Sequence, residues 1–188
     1  MKNIVIIGAG DLGKELVWLI EEINKVKPTY LILGFLDDDL GKNDYSFCGY
    51  RVLGGTDKIE ELNAVTPFSA VLAIQNGSVR KKIVDAHPEF DQWETIIHPT
   101  AVIASSTKVG RGCVFFPQVT VSVDTYLGNF GLYYIHSTIC NDCWISNYVS
   151  VMANASISEH VEVMAETVIS ANRCIKPHTK LGRGKVNA

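Results

Sequence analysis

The chain has 188 residues, 47 % of them hydrophobic and 20 % charged, with a formal net charge of −3, the balance of an ordinary globular chain of one or two domains whose core needs no staples. That charge argues against a dedicated nucleic-acid surface, and no apolar run reaches transmembrane length, so neither nucleic acid nor membrane insertion is expected. Five cysteines, odd in number and scattered, point to a reducing, cytoplasmic compartment, and Met1-Lys2-Asn3 leads into a strand, not a signal peptide.

Residues 3–8, Asn-Ile-Val-Ile-Ile-Gly, read as a buried strand: four consecutive aliphatics bounded by glycine. Gly8-Ala9-Gly10-Asp11-Leu12-Gly13 then opens a helix whose apolar face includes Leu12, Leu16, Leu19 and Ile20. This is G-x-G-x-x-G in the strand-to-helix context that gives it meaning. Glycine lets the backbone approach a phosphate, and a helix N-terminus attracts one through free N–H groups and its dipole. Asp11, inside that loop, would repel a diphosphate unless it points away. A second strand, Tyr30 to Leu36, ends in Asp37-Asp38-Asp39, where an acid meets a ribose hydroxyl in dinucleotide folds. For Asp38 and Asp39 a solvated turn is the competing reading.

Arg51 to Gly54 reads as a short strand, and Thr56 is the expected N-cap of the next helix. Ser69 to Ile74 is a third buried strand. Gln75-Asn76-Gly77-Ser78 is a turn capping a helix through Val84, and Trp93 to Ile97 is expected as a last strand. The alternation predicts a Rossmann-like α/β parallel sheet over residues 1–95, with strand C-termini lining a cleft. Gly8, Gly10, Asp11, Gly13, Asp37, Asp38, Gln75 and Asn76 all fall at such loops, and a nucleotide site is expected there. A nicotinamide oxidoreductase is excluded by architecture, because a repeat begins at Ile97 where a substrate domain with hydride-transfer residues would have to stand.

From Ile97 the sequence changes period. Stepping by six gives Ile97, Ile103, Val109, Phe115, Val121, Leu127, Tyr133, Ile139, Ile145, Val151, Ile157, Val163, Ile169, Ile175 and Leu181, an unbroken register in which only Tyr133 carries a polar atom. Four residues after each of these but the last stands a small or β-branched residue, Arg173 excepted. Neither the helix nor the strand period explains six. A hexapeptide β-helix does, with one short strand and a corner per unit and three units per coil. The second domain is therefore expected at 96–188, as nearly five coils of 18. Cys140 and Cys143 form C-x-x-C, but Cys143 lies on the small column. They read as packing thiols, with zinc or redox second, and no metal site is expected.

With these segments in place, the chain resembles the nucleotide-sugar acetyltransferases related to sialic-acid O-acetyltransferases and bacillosamine-pathway N-acetyltransferases. Gly8-Ala9-Gly10 with Gly13-Lys14, Gly34-Phe35-Leu36-Asp37-Asp38, Ala73-Ile74 with Asn76 and Arg80-Lys81-Lys82-Ile83, and Ile97-His98-Pro99-Thr100-Ala101 carry the resemblance. It implies a left-handed β-helix, a homotrimer, a UDP-linked or otherwise nucleotide-activated sugar on the N-terminal sheet, and acetyl-CoA between neighbouring β-helices. The implied chemistry is direct attack of a sugar amine or hydroxyl on the thioester, with a histidine base. At the position of that base stands Asn141, which orients through hydrogen bonds but accepts no proton, and the family's second histidine is Ser150. Where the family has small-residue turns beside the coenzyme, this chain has Met152-Ala153-Asn154 and Met164-Ala165-Glu166, which makes Ser150, Asn154, Ala165 and Glu166 the candidates for coenzyme contact.

An 18-residue coil stacks Asp124, Asp142, His160 and His178 in one column, about 4.8 Å apart from coil to coil. His160 then stands one coil above Asp142, at the corner of Asn141. Asn141, Asp142 and His160 are the catalytic candidates. Gln118, His136, Asn154 and Asn172 make a second column. The competing reading is that polar residues stack at corners because solvent and turn backbone are there. Two functions stay open: acetyl transfer to a nucleotide-linked sugar, and a catalytically inactive, trimeric nucleotide-sugar-binding relative.

Overall fold

A computed structural model describes residues 1–39, 41 and 45–186; the chain's last two positions, Asn187 and Ala188, lie outside them. The chain divides into two compact units, one of residues 1–74 with 81–94, the other of 75–80 with 95–188.

In the first unit the aliphatic run becomes β1 (Lys2–Ile7), the centre of a three-stranded parallel sheet. β2 (Tyr30–Leu36) lies on one side and β5 (Ser69–Leu72) on the other. Ile4 to Ile7 are fully buried, as a strand covered on both faces requires. Helix α1 (Asp11–Val26) buries Leu12, Leu16, Leu19, Ile20 and Ile23, the stripe that its periodicity predicts. A hairpin of β3 (Ser46–Phe47) and β4 (Tyr50–Arg51) follows, and Val52 bridges to Phe35. The expected strand at Arg51 to Gly54 is thus displaced towards the hairpin.

Thr56 does not cap the next helix. It opens a short 3-10 turn, Thr56–Lys58, before α2 (Ile59–Val65), and its N–H is taken by the Asp38 carboxylate at 2.7 Å. The expected strand at Trp93 to Ile97 also divides. Trp93 bridges to Ala70 in the first unit, whereas Ile96–Ile97 pairs with Val114–Phe115 in the second. In each wall two N–H groups per coil hydrogen-bond to the next coil, and at Ile96 that ladder has begun.

The second unit is a parallel β-helix with three walls of two-residue strands. The first wall stacks Ile96–Ile97, Val114–Phe115, Leu132–Tyr133, Ser150–Val151, Val168–Ile169 and Lys185–Val186; the second runs from Val102–Ile103 to Cys174–Ile175, and the third from Lys108–Val109 to Lys180–Leu181. Partners are 18 residues apart in every wall except at the end, where Val168 pairs with Lys185; the last coil is one residue shorter. Phe115 to Ile175 at the sixfold positions are buried. Ile97 and Val109, in the first coil, are 42 % and 36 % exposed, because no earlier coil covers them.

Each corner passes through the left-handed region. From Gln118 to His178, every sixth residue has φ between 54° and 62°, a well that Asn, Asp and His enter more readily than other non-glycine residues. The small inner column has a second use. Thr107, Cys113, Thr125, Cys143 and Thr167 donate to the carbonyls of Ser122, Gly128, Cys140, Ser158 and Gly182, each 15 residues ahead. Small polar groups there fill the corner and satisfy the buried carbonyl of the coil above. Cys143 is one of these packing thiols, and all five cysteines are free. Burial pushes the Cys113 thiol up to about 12. Arg173, the exception in the column, keeps Nε buried without a hydrogen-bond partner.

Helix α3 (Gly77–Ala86) begins within this second unit. Arg80 is 2 % exposed and donates to the carbonyls of Gln75, Phe130, Tyr148 and Val149 and to Ser150 Oγ. A guanidinium has five donors in a fixed fork, and here they serve a backbone corner that water does not reach. Burial lowers its pKa to about 10.

Candidate functional site

The candidate residues fall in two regions, one in each unit. In the first unit the glycine loop is built as its spacing predicts. Gly8 has φ +110°, and a Cβ there would stand 2.8 Å from the Ala73 carbonyl oxygen; a Cβ on Gly13 would stand 2.4 Å from that of Gly8. Gly10 has open space around it and forms the N-cap of α1 without any side-chain cap. The first turn of α1 therefore presents backbone N–H groups with no side chain over them. Asp11 points away: its side chain is fully exposed and lies 3.4 Å from Lys14 Nζ.

Asp37 faces inward onto this loop. One carboxylate oxygen accepts the Ala9 N–H at 2.7 Å and the other the Asp39 N–H at 2.9 Å. Asp38 holds Thr56. Asp37 is thus first of all a clasp for the glycine loop.

Gln75 and Asn76 belong to the second unit. Asn76 Oδ1 accepts the N–H groups of Ser78 and Val79, capping α3. The Gln75 carbonyl takes Arg80 and the Ser150 hydroxyl, and its side-chain amide donates to Met152 Sδ at 3.2 Å. Ser150 is fully buried, and its hydroxyl both accepts from Arg80 and donates to Gln75. The hydroxyl of Ser150, expected at the coenzyme, is thus engaged by the buried arginine, and nothing around Ser150 marked that in the sequence.

The corner between the second and third walls carries the remaining chemistry. Asp142 and His160 are exposed, with φ +55° and +56°. The shared left-handed backbone holds both at one height in successive coils, and the His160 N–H donates to the Asn141 carbonyl at 3.2 Å. The Asn141 amide donates to Asp142 Oδ2 at 2.5 Å. The His160 ring stacks on His178 one coil on, with centroids 4.9 Å apart and planes 8° apart. Asp142 and His160 line a depression with Trp144 and Glu162, two residues that the hexapeptide reading passed over. Reading the outward positions at a step of 18 would have found them, since Lys108, Tyr126, Trp144, Glu162 and Lys180 form a column of their own.

Of the turn residues, Asn154 is exposed and donates to Asn172 Oδ1, and Ala165 is half-buried. Glu166 accepts from Ser78 Oγ at 2.6 Å and pairs with Arg183 at 3.3 Å. Among the described residues no cluster of three His, Cys, Asp or Glu is arranged to hold a metal, and no helix is long and apolar enough to cross a membrane.

Comparison with known proteins divides in the same way. Residues 3–87 match the PglD N-terminal domain family. The chain is 29 % identical over 154 residues to the GDP-perosamine N-acetyltransferase of Escherichia coli O157:H7, covering 80 % of this chain and 67 % of that one. It is 30 % identical over 121 residues to the UDP-N-acetylbacillosamine N-acetyltransferase of Bacillus subtilis (strain 168), covering 61 % of this chain and 51 % of the relative. The chain thus spans about half to two thirds of these relatives. Among solved structures, the acetyltransferase domain of PglB from Neisseria gonorrhoeae FA1090 superposes with a TM-score of 0.86 at 25 % identity, over 98 % of this chain and 87 % of that one; it has also been solved in complex with acetyl coenzyme A. A histidine-to-asparagine variant of perosamine N-acetyltransferase from Caulobacter crescentus, in complex with CoA and GDP-perosamine, superposes with a TM-score of 0.75 at 19 % identity, over 96 % and 91 %. The fold is that of these enzymes: a Rossmann-like parallel sheet with helices, then a left-handed β-helix.

Proposed function

We propose that the chain is a nucleotide-sugar acetyltransferase like the relatives it matches, transferring the acetyl group of acetyl-CoA to an amino or hydroxyl group of a nucleotide-linked sugar, for surface polysaccharide or glycan synthesis. The observation that carries this reading is the exposed corner that sets Asn141, Asp142 and His160 together on successive coils. On this reading the sugar nucleophile attacks the thioester carbonyl, a C–N or C–O bond forms and the C–S bond breaks. His160 takes the proton given up by the nucleophile and returns it to the departing thiolate. Asp142 orients the acceptor or the imidazole, and Asn141 contributes hydrogen bonds only.

The glycine loop, with the uncapped start of α1, holds the nucleotide diphosphate, and Asp37 contacts the ribose while clasping Ala9. Gln75 and Asn76 are the second unit's candidates for contact with the sugar nucleotide. The pantetheine arm of acetyl-CoA lies along Asn154 and Ala165, with Glu166 fixing the turn, in a groove formed by two copies of a homotrimer. Residues 1–95 and 96–188 act as the nucleotide-sugar-binding and acyl-transfer domains, and the work is done in the cytoplasm.

A second reading, an inactive nucleotide-sugar-binding relative, is favoured by Asn141, whose amide is tied to Asp142. The histidine-to-asparagine variant of the Caulobacter enzyme still holds CoA and GDP-perosamine, so a missing imidazole and bound ligands are compatible in this fold. One experiment separates the two. Thiol release from acetyl-CoA is followed with GDP-perosamine and with UDP-N-acetylbacillosamine, for the native chain and for Asn141→His. Turnover by the native chain is the expected result. Turnover by Asn141→His alone would support the inactive relative, and binding of neither acetyl-CoA nor sugar nucleotide by either protein would refute both readings.

A further inference from the structure

The outer face of the third wall carries a feature that acyl transfer does not by itself require. Tyr126 and Trp144 stack across successive coils with centroids 4.1 Å apart and planes 18° apart. Above them Glu162 and Lys180 close the column as an ion pair of 2.8 Å. The indole is held by its neighbour below yet remains 54 % exposed. A large aromatic that is both fixed and open is a ready contact surface, with little conformational freedom left to lose on binding.

What borders Trp144 selects the kind of ligand. Trp144 and Asp142 line two adjoining depressions: one holds His160 and Glu162, the other Asp124, Tyr126 and Lys108. Three carboxylates thus surround the indole. The cations in the same column are Lys108, two coils below Trp144 at the far side of the second depression, and Lys180, already paired with Glu162. With three carboxylates against two lysines, such a surface disfavours the phosphates of a nucleotide or coenzyme. It suits a pyranose instead, whose C–H face packs on an aromatic ring while carboxylates take its hydroxyl or ammonium groups. An ammonium beside an indole gains a cation–π contact as well.

We propose that Trp144 is the platform on which the acceptor sugar stacks, with Asp142 and Glu162 holding its polar groups so that the accepting atom faces His160. This inference rests on the acetyl-transfer reading and adds the specificity-determining residue: the pocket takes the sugar ring itself, not the nucleotide and not the adenine of the coenzyme.

The test is calorimetry on the full chain with GDP-perosamine, GDP and acetyl-CoA in separate titrations, for the native protein, Trp144→Ala and Trp144→Phe. The expected result is that Trp144→Ala weakens GDP-perosamine about tenfold, a change worth about 1.4 kcal/mol, leaves GDP and acetyl-CoA unchanged, and regains most of the affinity as Trp144→Phe. Equal affinity of native protein and Trp144→Ala for GDP-perosamine would overturn the proposal. Loss of acetyl-CoA binding alone would also overturn it, making the stack a coenzyme platform. So would loss of both ligands with a fall in molecular mass, which would make it a subunit contact. If the native chain bound acetyl-CoA but neither sugar nucleotide, the acetyl-transfer reading would fall first and this inference with it.

Discussion

The glycine loop of the first unit and the corners of the β-helix both need positive φ, and they meet the need with opposite chemistry. At Gly8 the backbone sits at φ +110°, with a neighbouring carbonyl 2.8 Å from any added Cβ. That conformation and that space exclude every side chain at position 8, so there the loop can offer a ligand only its backbone. At the corners φ stays between 54° and 62°, and the exposed Asp124, Asp142, His160 and His178 occupy positions that glycine would also satisfy. The left-handed well costs an L residue about 1–2 kcal/mol, tolerable once per turn in a fold that closes many hydrogen bonds per coil. A loop built of glycine binds through its backbone; a corner that accepts Asp and His can do chemistry.

That contrast breaks first at the loop. Gly8→Ala is expected to destabilise the chain by about 3 kcal/mol or more, because strained backbone and a clash with Ala73 add; urea unfolding measures it as a lowered midpoint. A midpoint equal to that of the native chain would mean that the loop has room, and the distinction between the two regions would vanish. At a corner the same logic gives a smaller and residue-dependent effect. His136→Val, β-branched in the left-handed well, should cost about 1–2 kcal/mol, whereas His136→Gly should stay within about 1 kcal/mol of native in either direction. Equal losses in both would point to side-chain contacts of His136 in place of its backbone.

The interior gives a third, opposite prediction. Tyr133 is fully buried in the aliphatic column, stacked on Phe115 at 4.6 Å, and its hydroxyl has no partner among the described residues. Gly131 makes room for it, since a Cβ there would stand 2.5 Å from the Tyr133 oxygen. Tyr133→Phe should therefore stabilise the protein by up to about 1–2 kcal/mol, the cost of an unsatisfied buried hydroxyl, read as a rise in the unfolding midpoint. Destabilisation would reveal a hidden partner for that oxygen.

How much of this was legible in the sequence differs between the regions for physical reasons. The β-helix announces itself because one coil repeats the same geometry, so one residue type recurs at a fixed step, and the step of 18 even aligned Asp142 under His160. The first unit showed its strands through aliphatic runs and its loop through glycine spacing, since both are local constraints. What stayed hidden was every pairing at long separation without a period. Arg80 claims Ser150 across 70 residues, Asp37 clasps Ala9, and Asp38 caps the turn at Thr56. Each is an ordinary polar residue in sequence, and only the fold assigns its partner. Trp144 was hidden in another way: the outward positions of the repeat carry no common residue type, so the eye follows the aliphatic column beside them.

On the proposed mechanism the corner column performs proton transfer although Asn141 cannot. The decisive measurement is the steady-state rate of acetyl transfer from acetyl-CoA to GDP-perosamine by the native chain and by His160→Gln, with acetyl-CoA affinity measured alongside. His160→Gln should lower kcat by about 10²–10⁴-fold and leave acetyl-CoA binding unchanged. A native rate in His160→Gln would refute the role of the column, and would mean that proton transfer passes through some other group.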